Sequence, residues 1–132
     1  MEEINWRTDL AIDIHESLRD RAMTLPGVNE TVEETPVGKV IRLEVSSKDS
    51  AMQMRKPPGT YVTIESPSLG LREKAKQNEV ATILARELEK YLSSVALEAP
   101  ILVVGLGNSQ VTPDSLGPLV TQKILVTRHL RN

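Results

Sequence analysis

Residues 100–118 read Pro100-Ile101-Leu102-Val103-Val104-Gly105-Leu106-Gly107-Asn108-Ser109-Gln110-Val111-Thr112-Pro113-Asp114-Ser115-Leu116-Gly117-Pro118. The opening run is continuously apolar rather than alternating, the pattern of a strand buried on both faces at the centre of a parallel sheet. The glycines and polar residues behind it then fall at the carboxyl end of that strand, where open α/β sheets place their ligands. Leu116, Val120, Ile124 and Val126 predict a helix over 114–130. A buried parallel strand needs neighbours on both sides, and the helix after it should return to another strand. The chain stops at Asn132 without one. It therefore reads as the first part of a longer α/β protein.

Upstream, Val80, Leu84, Leu88, Tyr91, Leu92 and Val95 recur at three- and four-residue spacing among charged residues, which predicts a long amphipathic helix over 71–95. Val40, Ile41, Leu43 and Val45 predict a strand over 37–46, with Arg42 and Glu44 facing solvent. Tyr61-Val62-Thr63-Ile64-Glu65 is a short β-branched run and the next strand. Lys56-Pro57-Pro58-Gly59 before it and Ser66-Pro67-Ser68-Leu69-Gly70 after it are firm breaks. Residues 24–36, with prolines, a glycine and several Glu and Asn, read as a surface loop. Residues 8–23 begin with a strand-like alternation of Leu10, Ile12 and Ile14 and end in a helical pattern. The fold class is α/β, without internal repeat or low-complexity segment.

Composition removes other classes of function. Aromatic residues are only 2%, with no Phe, so the core is built from Leu, Ile and Val, and base-stacking platforms are poorly supplied. A formal net charge of −2 favours neither a phosphate backbone nor an anionic membrane. The absence of cysteine excludes disulfides, thiol nucleophiles and Cys-based zinc sites. With two histidines, His15 and His129, one chain cannot build a three-His metal centre. No cofactor or metal is expected. The acidic start Met1-Glu2-Glu3-Ile4-Asn5-Trp6 is no signal peptide, and no apolar run approaches the about 20 residues of a membrane span. The expectation is a soluble, cytoplasmic chain.

Asp114 is the sharpest candidate for chemistry. Between Pro113 and a helix it is placed to be an N-cap, its carboxylate accepting a backbone N–H. The same position at a crevice mouth suits a general base. Gly105, Gly107, Asn108 and Thr112 form the loop around it. A dinucleotide fingerprint is excluded because its third glycine position holds Gln110, and no P-loop lysine exists. Ser109 and Ser115 lack the surroundings of an activated serine. Glu65 reads as a solvated strand-end residue, His15 and His129 as surface residues, and the mixed charges near Arg72 as a solvated helix face.

The segment from Val103 to Pro118, with Ile124-Leu125-Val126-Thr127-Arg128-His129-Leu130 behind it, resembles the germination protease family of spore-forming bacteria. So do Arg7-Thr8-Asp9-Leu10-Ala11 near the start, Tyr61-Val62-Thr63-Ile64-Glu65-Ser66, and Leu71-Arg72-Glu73. The resemblance runs through nearly the whole chain in order, as the N-terminal portion of a longer family sequence. It implies an incomplete three-layer α/β/α sandwich like that of hydrogenase-maturation peptidases. It also implies a zymogen endopeptidase of the spore core that degrades small acid-soluble spore proteins during germination and assembles as a homo-tetramer.

The mechanism so implied uses a pair of aspartates, of which Asp114 matches the first. The second has no counterpart here, and a lone carboxylate lacks the like-charge neighbour that splits two pKa values. The fragment alone is expected to be inactive. The family's cleavage pattern of an acid followed by a large apolar residue and Ala is met by Thr8-Asp9-Leu10-Ala11-Ile12-Asp13. This makes 1–9 a propeptide-like segment cut between Asp9 and Leu10, and 10–132 the first part of one peptidase domain. Two alternatives remain open: an inert folding or interaction unit, and an esterase resembling peptidyl-tRNA hydrolase through Val103-Val104-Gly105-Leu106-Gly107-Asn108 and Thr127-Arg128-His129.

Overall fold

The computed structural model describes residues 10–20, 23–70 and 73–127. The chain combines helices with a three-stranded antiparallel sheet, an α/β architecture. It divides into two compact units, Met1–Glu89 and Lys90–Asn132.

In the first unit, helix α1 (Ala11–Asp20) is followed by strands β1 (Val28–Thr35) and β2 (Gly38–Val45), helix α2 (Lys48–Met54) and strand β3 (Gly59–Glu65). The sheet order is β1-β2-β3. Because side chains alternate across a strand, one face collects Ile41, Leu43 and Val45 of β2 with their cross-strand partners, among them Val28 and Tyr61. Against it pack Ala11, Ile14 and Leu18 of α1 and Ala51 and Met54 of α2. These positions share one side of α1, and Leu18, Leu43 and Met54 are at most 1% exposed.

The opposite face carries Val40 and Arg42, and meets helix α3 (Lys74–Leu92). Val80 and Glu87 are the residues α3 buries most deeply. Arg42 donates to Glu87 and Glu33, and Arg86 of α3 also donates to Glu33. Helices thus lie on both sides of the sheet, held on one side by apolar packing and on the other largely by charge.

Local chemistry explains the joints. Thr35-Pro36-Val37-Gly38 closes the β1–β2 hairpin, with Gly38 at φ +150° and the Thr35 hydroxyl donating to the Gly38 carbonyl at 2.8 Å. A Cβ there would strike the Glu65 carbonyl oxygen at 2.0 Å, so only glycine fits. Ser47 caps α2, its oxygen accepting the Ser50 N–H at 3.3 Å. Arg55 ends that helix in the left-handed region at φ 51°, and Lys56 N–H returns to the Ala51 carbonyl.

In the second unit a short 3-10 turn, Thr112–Asp114, leads into helix α4 (Leu116–Lys123). Residues 101–104 form no strand and are 48–86% exposed.

Several expectations are corrected. The buried parallel strand over 101–104 is not formed, since a strand exists only through a neighbour's ladder and no described residues pair with it. The loop expected over 24–36 contains β1, an edge strand whose Val28 faces the core, while Glu30 meets His15 and Arg19 of α1 and Glu33 meets Arg42 and Arg86. The extended start before α1 is helical from Ala11, because Ala11, Ile14 and Leu18 bury together only at helical spacing. Helix α2 forms between β2 and the break at 56–59, and the last helix stops at Lys123. The strands at 37–46 and 61–65 and the long helix form as read, but Arg42 does not face solvent: it meets α3, where it pairs with the buried Glu87.

Candidate active site

Asp114 and the loop residues expected around it lie in the second unit. Asn108, Val111 and Asp114 close a compact loop on their own backbone. Asn108 N–H donates to the Asp114 carbonyl at 3.0 Å, Val111 N–H to the Asn108 carbonyl at 3.1 Å, and Asp114 N–H to the Val111 carbonyl at 2.8 Å. The Asn108 side chain completes the turn, its Oδ1 accepting Gln110 N–H at 2.9 Å. Thr112 contributes its carbonyl, which accepts the Ser115 hydroxyl at 2.9 Å.

Glycines allow the approach. Gly107 stands at φ +135°, and a Cβ on it would lie 2.0 Å from the Asp114 carbonyl oxygen and 3.1 Å from the carboxylate Oδ1. Gly105 is half-buried beneath Gly117 and Thr121. Of the loop residues named from the sequence, Gly107 and Asn108 touch Asp114 directly, while Gly105 meets Gly117 and Thr112 meets Ser115.

The capping role expected for Asp114 is not what its carboxylate does. Ser115 occupies the N-cap position of α4, and no side chain caps that helix. Asp114 sits one residue earlier, at the end of the 3-10 turn, and is exposed. Among residues 90–127, Glu98 is the other carboxylate. No cluster of three or more His, Cys, Asp or Glu suited to a metal occurs among the described residues.

Other candidates settle into ordinary roles. Glu65 pairs with Lys39 at 3.0 Å on the surface. His15, expected at the surface, is instead half-buried on α1 between the helix and β1, with Nδ1 3.0 Å from Glu30 Oε2. Leu10, half exposed, immediately precedes α1, while Asp9 and His129 lie outside the described residues. Sequence reasoning overlooked Gly117 and Thr121, whose signal is a glycine inside a helical pattern. No helix among the described residues is long and apolar enough to cross a membrane.

Comparison with known proteins gives this loop its context. The germination protease family profile matches residues 7–132, a span that includes every element above. The chain belongs to the germination protease family, a family of peptidases. It is 40% identical over 125 residues to the germination protease of Caldanaerobacter subterraneus subsp. tengcongensis, covering 95% of this chain and 38% of that one. It is 38% identical over 128 residues to those of Bacillus thuringiensis subsp. konkukian and Bacillus mycoides, covering 94% of this chain and 35% of each. The chain thus spans little more than a third of the length of these relatives. The match does not favour the esterase alternative.

Proposed function

We propose that the chain is the N-terminal part of a zymogen endopeptidase that degrades small acid-soluble spore proteins in the spore core during germination. Asp114 is one member of a catalytic acid pair, and the second lies in sequence beyond this chain. In such a pair one carboxylate takes a proton from water, and the water oxygen attacks the scissile carbonyl carbon. The partner carboxyl protonates the leaving amine, so that one peptide bond breaks and one water is consumed. The observation that carries this reading is the family match over 7–132, supported by the exposed Asp114 carboxylate on its backbone-tied loop. The loop residues Gly105, Gly107, Asn108 and Thr112 hold that carboxylate. No cofactor takes part.

The full sandwich fold, the homo-tetramer and the inactivity of the isolated 132 residues belong to the same proposal. So does maturation by cleavage between Asp9 and Leu10. Leu10, on the carboxyl side of that bond, is half exposed. The test is digestion of a purified small acid-soluble spore protein by a chain of full family length, with mass spectrometry of the products. Cuts on the carboxyl side of an acidic residue followed by an aliphatic one support the proposal. An intact substrate, or cuts at unrelated bonds, contradicts it.

A further inference from the structure

The two backbone stretches that flank Asp114 touch each other with no side chain between them. A Cβ on Gly117 would lie 2.1 Å from the Leu106 carbonyl oxygen and 2.7 Å from the Leu106 nitrogen. A Cβ on Gly105 would lie 2.2 Å from the Gly117 carbonyl oxygen and 2.6 Å from Thr121 Cγ2. Ordinary carbon–oxygen contacts lie near about 3.3–3.6 Å, so neither position admits even a methyl group as it stands. Gly107 makes the same approach to Asp114 on the other side of the loop.

Helix propensity makes Gly117 informative. It is the second residue of Leu116–Lys123, where alanine is the better helix former. If Gly117 served only α4, replacing it with alanine would stabilise the helix. The contact with Leu106 demands the opposite sign.

We infer that Gly117 is a positioning residue for Asp114: by letting the start of α4 rest directly on the backbone of Leu106, it fixes the carboxylate's loop against the segment before it. The inference rests on the catalytic reading of Asp114 but concerns a residue outside the acid pair. The loop is short, so a displacement of α4 is passed to Asp114 through Ser115. Misplacing a reacting group by about 1 Å can cost about 100-fold in rate.

The test is Gly117→Ala, read in two ways. In the 132-residue chain, amide exchange reports the Asn108 N–H that bonds to the Asp114 carbonyl. In a chain of full family length, steady-state kinetics separate kcat from KM. The expected result is exchange at Asn108 at least about tenfold faster and a fall in kcat of about 10- to 100-fold, with KM within about twofold. Unchanged exchange with unchanged kcat overturns the inference. If Gly117→Ala fails to fold, Asn108→Ala opens the same loop without adding atoms, and Asn108→Asp restores the oxygen that accepts Gln110 N–H. Loss in the first with rescue in the second supports a positioned loop, and an unaltered kcat in Asn108→Ala overturns it. Asp114→Asn keeps the two claims apart. Activity retained there removes the catalytic reading, while Asn108 protection in the Gly117 variant still decides the backbone contact.

Discussion

The Arg42 guanidinium grips the Glu87 carboxylate with two hydrogen bonds, Nε to Oε2 at 2.8 Å and Nη2 to Oε1 at 2.6 Å, joining β2 to α3. Glu87 is 3% exposed at its side chain and Arg42 20%, so the pair is largely withdrawn from water. The geometry is the planar, bidentate fit that distinguishes Arg from Lys at such a place. Arg42 also holds Glu33, which in turn receives Arg86.

Arg42→Met is expected to destabilise the chain by up to about 3–5 kcal/mol, because Glu87 keeps its burial and loses its bidentate partner, with Arg86 Nε left 3.8 Å from its Oε1. The double variant Arg42→Met with Glu87→Leu is expected to recover most of that loss, since two apolar groups need no partner there. Urea unfolding of the three proteins checks this. A double variant as unstable as Arg42→Met contradicts it.

Glu33 gives the pH dependence its sign. Hydrogen bonds from Arg42, then from Arg86, hold its carboxyl below the ordinary value of 4.5. A depressed folded pKa contributes stability above the unfolded value, and that contribution is lost as pH falls through the lower folded one. The unfolding midpoint should therefore fall as pH drops below the ordinary value of 4.5, and fall less in Glu33→Gln. Glu33 is 39% exposed, so solvent keeps the difference small. Parallel profiles for the two proteins would sink this assignment.

Ile101, Leu102, Val103 and Val104 are 60%, 86%, 48% and 65% exposed, a continuous apolar stretch in water. Such stretches seek cover. The 132-residue chain is expected to self-associate in sedimentation velocity and to bind a hydrophobic dye. A monomer at high concentration with no dye binding contradicts this.

Maturation is read from the N-terminus. In a chain of full family length, the processed protein should begin at Leu10, and Asp9→Ala should slow its appearance at least about tenfold. N-terminal sequencing that finds another first residue removes the self-processing role of Asp9 and Leu10.

What was legible in the sequence follows from where free energy is local. β2 was readable because Ile41, Leu43 and Val45 alternate with polar residues, and α3 because its apolar positions keep helical spacing. β1 was not, because an edge strand rich in Glu is held by its ladder to β2 rather than by its own composition. α2 has seven residues and depends on the Ser47 cap and the burial of Ala51 and Met54, which only tertiary packing supplies. The run at 101–104 carries the composition of a central strand without a described neighbour to pair with. In the loop, the glycines and Asp114 stood out by their place behind the apolar run, and the role expected of Asp114 came from the family resemblance. That Gly117 lies under Leu106 is visible only in three dimensions.

The central claim is that Asp114 supplies a catalytic carboxylate, and one substitution tests it most directly. Asp114→Asn keeps the shape of the side chain but cannot take a proton from water. Ser115 holds the cap position of α4, so the helix loses nothing. In a chain of full family length acting on a small acid-soluble spore protein, kcat should fall about 1,000-fold or more, with an unchanged unfolding midpoint. Hydrolysis retained within about tenfold of the parent would show that the proton goes elsewhere and that Asp114 serves only its loop.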